Sequence, residues 1–597
     1  MRGCGRSRTI SHVSLNKSTL PWIALGLAVL LPGCSSTPAP KAAPQAQASA
    51  ASTVLAEIAL KRGDCKGASE SYAKAASAST DASLARRASE VSLSCEHLPA
   101  AWQSVNRWRT LAPGDREATA LYTAVALKLY KVPEARAAVV EFAHEKPTAG
   151  STQEAGFAAL AALLLQHADA SAVLAAMSAL ESENPSPVTL SLLGELALDS
   201  FDSKRAEHFA DEALQQDAKS FEAKRVLARA YVLRGDAAKA IATAREAMSL
   251  NPTVGVFELA QILSDLDRVE EAHQELESLR NTGAPKAEID RRLALLAYDS
   301  GDLTEAEQRF SDLASDDGEA GDSSLLYLAD IAARDGEADV ALAGYRKLAD
   351  SSVAVQARSR AAALLMARND RAGALAILDD YAAAHPGSEF DLTLTKARLL
   401  ADHGEANTGL SLLSAALDRH PNHPSIEYDK AVILEHAGRV HESVEVLEKL
   451  LTQRPDDPVL TNALGYTLAD HNLELPRAEG LIQRALVVSP DSPAILDSLG
   501  WVKYREGDAK DAVPMLARAY SIQHDSEIGA HWGEALWVSG QHQEARRIWS
   551  AALARDPSSQ PLRATLTRFI PETQDSHSTP PTTQHQPGAS QGRRETR

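Results

Sequence analysis

Between Pro458 and Pro557 the chain states one phrase three times, and that repetition constrains its fold more than any other feature. Asn462-Ala-Leu464-Gly465-Tyr466, Asp497-Ser-Leu499-Gly500-Trp501 and Ala530-His-Trp532-Gly533-Glu534 hold equivalent places. About a dozen residues after each phrase comes an alanine (Ala478, Ala512, Ala545), then a large apolar residue (Ile482, Leu516, Trp549), then a second alanine (Ala485, Ala519, Ala552). Leu464, Gly465 and Leu468 share one helical face, and a glycine at its centre lets a second helix approach closely. Between the two helices stands glycine followed by an acid, as in Gly63-Asp64, Gly235-Asp236, Gly301-Asp302, Gly404-Glu405 and Gly507-Asp508. Glycine accepts the left-handed conformation that ends a helix, and aspartate can cap the next. A helix pair of this size cannot bury its apolar face alone, so each must stack on its neighbours.

A period of about 34 residues with this order of small, large and small residues and a closing proline resembles the tetratricopeptide repeat (TPR). The resemblance implies an all-α superhelical solenoid of helix-turn-helix units. Counting back from Gly465, the small core residue recurs at Ala431, Ala397, Ala362, Ala329, Ala294, Ala260, Ala228 and Gly194. Its partner on the second helix recurs as Ala374, Ala341, Ala306, Ala272, Ala240 and Ala206, with Gly409 and Ser443 as small substitutes. This register predicts a regular array over 187–557. Divergent repeats over 51–186 are carried by Ala68, Tyr72 and Ala75, by Ala101, Val105 and Trp108, and by Ala135, Val139 and Phe142. About fifteen repeats are expected in all. Leu562, Leu566 and Phe569 predict a capping helix within 558–571; the Ser-, Thr-, Pro- and Gln-rich residues 572–597 read as disordered.

The N-terminus reads as a targeting segment. Arg2, Arg6, Arg8 and Lys17 precede an apolar run from Leu20 to Leu31 that is too short to span a bilayer. Leu31-Pro32-Gly33-Cys34 resembles a bacterial lipobox, which implies a signal peptide over 1–33 and lipidation of Cys34. Ser35 and Ser36 follow without the aspartate that retains many lipoproteins in the inner membrane. The implied location is the outer membrane, facing the periplasm. Residues 34–50, rich in Pro, Ala, Ser and Gln, read as a flexible tether.

A formal net charge of −19 argues against a nucleic-acid partner, which would require a basic patch. Phosphate loops, Cys-x-x-Cys, His-Glu-x-x-His and Gly-x-Ser-x-Gly are all missing from the sequence, so the reading is of a protein without enzymatic activity or cofactor. His420-Pro-Asn-His423 comes nearest to a metal-ligand cluster but lacks a third ligand in sequence. Asp379-Asp380 and Asp456-Asp457 read as solvated helix ends. On the first helices of the last repeats, Tyr428, Tyr466, Trp501, Tyr504 and Trp537 fall on the face opposite the packing surface. They are the expected partner-binding stripe, since Trp and Tyr anchor protein interfaces. Trp532 and Trp549 fall at core positions.

The phrases Asn462-Ala-Leu-Gly-Tyr-Thr-Leu-Ala-Asp470 and Ile495-Leu-Asp-Ser-Leu-Gly-Trp-Val-Lys-Tyr504, with Gly533-Glu-Ala-Leu-Trp537, resemble proteobacterial outer-membrane TPR lipoproteins of the LbcA type. The resemblance implies an adaptor that binds a periplasmic carboxyl-terminal processing protease and promotes degradation of its substrates, cell-wall hydrolases among them. The other reading open to such a lipoprotein is a structural scaffold for polysaccharide export or pilus biogenesis. Of the four cysteines, Cys4 would leave with the signal peptide and Cys34 would take the lipid. Cys65 and Cys95 remain as a pair in an oxidising compartment. Cys65 begins the second helix of the first repeat and Cys95 ends the first helix of the next, so the register brings them to one edge, where a disulfide is expected.

Overall fold

The turns show why the chain breaks into helices where it does. Gly63, Gly235, Gly301, Gly404 and Gly507 all adopt left-handed φ between 73° and 96°. Asp64, Asp236 and Asp302 then cap the following helix, each accepting the backbone N–H of the residue three positions on. Glu405 and Asp508, expected to do the same, make no side-chain capping bond.

The computed structural model describes residues 44–147, 149–281, 284–315, 318–557 and 559–570. The proposed signal peptide, Cys34 and the tail from Glu572 lie outside the described residues. Those described form fifteen helix pairs and a final helix, Gln560–Phe569, with no strand among them. None of these helices is long and apolar enough to cross a membrane. The described residues group into two compact units, one within 44–145 and 375–446 and the other within 146–374 and 447–570.

In the first unit the opening helix is Pro44–Lys61, so residues 44–50, expected in the tether, are helical. Ala46, Ala48 and Ala50 favour helix over coil, and the Ser49 hydroxyl donates to the Ala75 carbonyl at 3.0 Å. Cys65 is the first residue of helix Cys65–Ser77 and Cys95 the C-cap of helix Ala82–Ser94. Their sulfurs are bonded, with Cα atoms 5.3 Å apart. The divergent core positions Ala68, Tyr72, Ala101, Val105, Trp108, Ala135, Val139 and Phe142 are all buried.

In the second unit the register residues Ala228, Ala260, Ala294, Ala329 and Ala362 are buried, as are their second-helix partners Ala240, Ala272, Ala306 and Ala341. One pair is irregular: its second helix is split into Ala170–Met177 and Leu180–Glu183. The two stretches of this unit meet directly. The Asp491 N–H donates to the Phe201 carbonyl at 2.9 Å, and the Ser203 N–H to Asp491 Oδ2 at 3.1 Å. Helix Gln560–Phe569 closes the end by placing Leu562, Leu566 and Phe569 on Trp549 and its neighbours.

The glycine at the centre of each phrase is required by close approach. A Cβ on Gly465 would stand 2.6 Å from Ile482 Cγ1, and one on Gly500 would stand 2.5 Å from Leu516 Cγ. Gly480, by contrast, has nothing within 4 Å of such a Cβ. Gly480→Ala is therefore expected to stabilise by about 1 kcal/mol through helix propensity. In Gly500→Ala the same gain is outweighed by overpacking of about 1–3 kcal/mol. Opposite changes in hydrogen-exchange protection over 458–569 check this; equal changes would mean that the helices move apart freely.

Candidate functional site

A cluster of buried polar and charged side chains in the second unit lies where three consecutive first helices, Pro458–Asp470, Pro493–Arg505 and Ser526–Val538, pass one another. Tyr466 and Asp470 are one turn apart on the first of these. Asp497, Trp501 and Tyr504 follow at i, i+4 and i+7 on the second, and Glu527, His531 and Glu534 at the same spacing on the third. Helical periodicity aims each set from one face, and these first helices touch directly across the repeats.

The side chains bond from repeat to repeat. His531 Nδ1 meets both Asp497 carboxylate oxygens at 3.0 and 3.1 Å. The Tyr466 hydroxyl donates to Glu527 Oε1 at 3.0 Å, and Trp501 Nε1–H to Asp470 Oδ1 at 3.0 Å. The Trp501 indole stacks on the His531 ring at 3.9 Å between centroids and carries Tyr504 on it at 4.9 Å. Thr565 Oγ1 donates to Glu534 Oε1 at 3.0 Å, and Arg568 also pairs with Glu534, so the capping helix is tied into the same group.

Burial and charge oppose each other here. Burial disfavours the imidazolium of His531, but the Asp497 charge and hydrogen bond, helped by Glu527 and Glu534, reverse this and hold its pKa at about 9. Burial raises the Asp497 carboxyl, although the same histidine pulls it down. Burial, with Glu527 adding to it, lifts Tyr466 well above the usual phenol range, so it remains a donor. Burial and then Glu534 push Tyr504 up to about 12. At neutral pH the group is a buried ion pair under an indole, a cation against an aromatic face.

The sequence-derived stripe is therefore divided. Tyr466 and Trp501 are 8% and 4% exposed and are joints between repeats rather than free anchors. The first helices lie close enough for Trp501 to reach back to Asp470 of the preceding repeat and for Tyr466 to reach Glu527 two repeats on, where these acids accept their polar ends. Tyr504 and Trp537 are half-buried; Trp537 stacks on His542 at 4.4 Å and flanks Trp549 and Phe569. Tyr428, also half-buried, belongs to the other compact unit on helix Pro424–His436. Trp549 is fully buried, as its core position requires, whereas Trp532 is half-buried.

Asp457 departs from the sequence reading: taken as solvated, it is buried, accepts the Val459 and Leu460 N–H groups at 2.9 and 3.1 Å, and pairs with Arg454 at 3.2 Å. Burial pushes its carboxyl up to about 6, against the pull of Arg454. His420 and His423 are buried, and each spends one ring nitrogen on a partner, His420 Nδ1 on the Cys95 carbonyl and His423 Nε2 on the Glu96 carboxylate. Glu181, His208 and Glu212 gather ligand atoms within 4.8 Å on the second unit, where His208 already pairs with Glu181 at 3.0 Å.

The tetratricopeptide repeat family model matches residues 191–253, 291–352 and 394–458, and the fold is an all-helical TPR solenoid. The chain is 32% identical over 157 residues to the TPR repeat-containing protein PA4667 of Pseudomonas aeruginosa. That alignment covers 26% of this chain, and the chain spans about a quarter (27%) of the length of this curated relative. Among solved structures, the thermophilic TPR protein TTC0263 of Thermus thermophilus is 22% identical, covering 30% of this chain and 97% of that one at a TM-score of 0.28. A tetratricopeptide repeat protein from Parabacteroides merdae is 16% identical, covering 42% and 98% at a TM-score of 0.31.

Proposed function

We propose that the chain is a protein-binding scaffold without enzymatic activity, held at the periplasmic face of the outer membrane by a lipid on Cys34. There it acts as an adaptor that binds a carboxyl-terminal processing protease and promotes degradation of cell-wall hydrolases. The observation that carries the scaffold reading is how the chain is used: from Pro44 to Phe569 the described residues form stacked helix pairs and their turns. TPR repeats imply protein partners in general. The choice of protease rests on the resemblance of the phrases around Gly465, Gly500 and Gly533 to LbcA-type lipoproteins, and the choice of membrane on the lipobox.

Reconstitution tests both parts. The lipid-free mature chain should co-elute with purified carboxyl-terminal processing protease, and hydrolase degradation should accelerate only when both are present. Absence of co-elution would end the protease reading; capture of polysaccharide-export or pilus components instead would favour a structural scaffold. Cys34→Ala should move the protein out of the membrane fraction, and acylated Cys34→Ala protein would overturn the anchor. Trp537→Ala, which truncates a half-exposed indole, is expected to weaken protease capture by about 2 kcal/mol or more. Hydrogen exchange over 526–569 separates that loss from loosening of the cap, and unchanged capture would place the interface elsewhere.

A further inference from the structure

The disulfide stands at the point where the two sequence-distant stretches of the first unit meet. Cys65 is half-buried at the start of its helix, and Cys95 is buried at the end of the other. Each half-cystine is flanked by, or itself supplies, a contact to the repeat that begins at Glu389. Lys66 Nζ donates to the Asp418 carbonyl at 3.0 Å. The Cys95 carbonyl accepts from His420 Nδ1 at 3.1 Å, and Glu96 Oε2 from His423 Nε2 at 3.0 Å.

The far side of this contact is built to receive it. His420 and His423 are 3% and 1% exposed and flank Phe390, with ring centroids 5.1 and 4.4 Å away. On the near side Glu96 holds a left-handed φ of 51° without being glycine, and its second carboxylate oxygen takes Lys128 Nζ at 2.8 Å. A non-glycine residue keeps such a conformation only where its surroundings impose it. Here they are the helix-ending turn itself, in which the Glu96 and His97 N–H groups donate to the Leu93 and Ser92 carbonyls. Tyr130 and Phe201 hold a similar φ of 56° at the equivalent turns, and at Glu96 the ion pairs then fix the carboxylate.

We propose that the Cys65–Cys95 disulfide is a redox latch: oxidised, it holds the Lys66, Cys95 and Glu96 contacts in register against the 389–423 repeat, and reduced, it releases them. A simple staple of the first two repeats would tie residues 64–97 together and leave the 389–423 repeat indifferent to its state. The latch differs because the bridge fixes groups that bond to residues more than 300 positions away. The reductant is a dithiol. Its thiolate attacks the sulfur of Cys65, the less buried of the two residues, the S–S bond breaks, and the Cys95 sulfur leaves as a thiolate that takes up a proton. The second thiol of the reductant then resolves the mixed disulfide, so two electrons and two protons pass to the protein and the reductant departs as a disulfide.

Hydrogen exchange of the mature chain at neutral pH, with and without dithiothreitol, tests the latch. Reduction should speed exchange about tenfold or more in residues 418–428 as well as in 64–97, and leave 458–569 unchanged. Acceleration confined to 64–97 would make the disulfide a local staple and overturn the proposal. Lys66→Ala/Glu96→Gln, with the disulfide intact, should loosen 418–428 and shrink its response to dithiothreitol to what the remaining Cys95 carbonyl contact carries. If that variant keeps the full response, the coupling runs by another route and the latch is wrong. Reoxidation should restore the slow exchange, which separates release from irreversible unfolding.

Discussion

His531→Ala is expected to cost the last three repeats about 3–5 kcal/mol, the usual consequence of removing one partner from a buried ion pair. The substitution leaves the Asp497 carboxylate enclosed with Glu527 nearby and no cation to offset it. Removing both charges together in Asp497→Leu/His531→Phe should cost far less than the single change, because no unpaired charge stays buried. The pH dependence has a definite sign. The folded-state pKa of His531, about 9, lies above its unfolded value near 6.5. The stabilisation from its charge is therefore complete below about pH 6.5 and is lost as pH rises through about 9. Because a repeat array need not unfold in one step, the measurement is hydrogen exchange over 458–569 as a function of pH. A wild-type chain whose C-terminal repeats are equally protected at pH 6 and pH 9.5 would show that the pair is not charged as described.

The array itself was legible because the same steric problem is solved in every repeat. Where two helices must approach closely the sequence has a small residue, glycine or alanine in nearly every repeat and serine at Ser443, and Gly465 and Gly500 leave no room for a Cβ. The cysteine edge followed from the same register, which fixed the ends of the helices bearing Cys65 and Cys95. What could not be read was how closely the first helices of successive repeats lie, since that distance depends on packing summed over both layers. For that reason Tyr466 and Trp501 read as exposed, and Asp497, Glu527, His531 and Glu534 went unremarked. The signal was present in part: Asp497 and His531 stand 34 positions apart, an acid and a histidine one repeat removed from each other. Asp457 was misread for a related reason. A helix-end aspartate is as often a buried cap as a solvated charge, and only its neighbours decide. At the N-terminus, Ala- and Gln-rich composition suits tether and helix alike, and the Ser49 bond to the second helix favours the latter.

Trp501→Ala is expected to destabilise the C-terminal repeats by about 3–5 kcal/mol, the range for truncating a buried tryptophan. The indole is nearly enclosed, gives its N–H to Asp470, and is sandwiched between His531 and Tyr504. Truncation opens a cavity under Tyr504, removes the hydrogen bond to Asp470 and removes the aromatic face over the imidazolium. Any loss of partner capture in this variant should then track loss of protection across 458–569, and should diminish under conditions that restore protection. Trp501→Phe separates the contributions: it keeps the ring over His531 while losing the hydrogen bond, and should cost about 1–2 kcal/mol. If Trp501→Ala abolished capture while exchange across these repeats stayed at wild-type rates, Trp501 would be a partner contact after all. The buried joint between repeats would then have to open in the complex to present it.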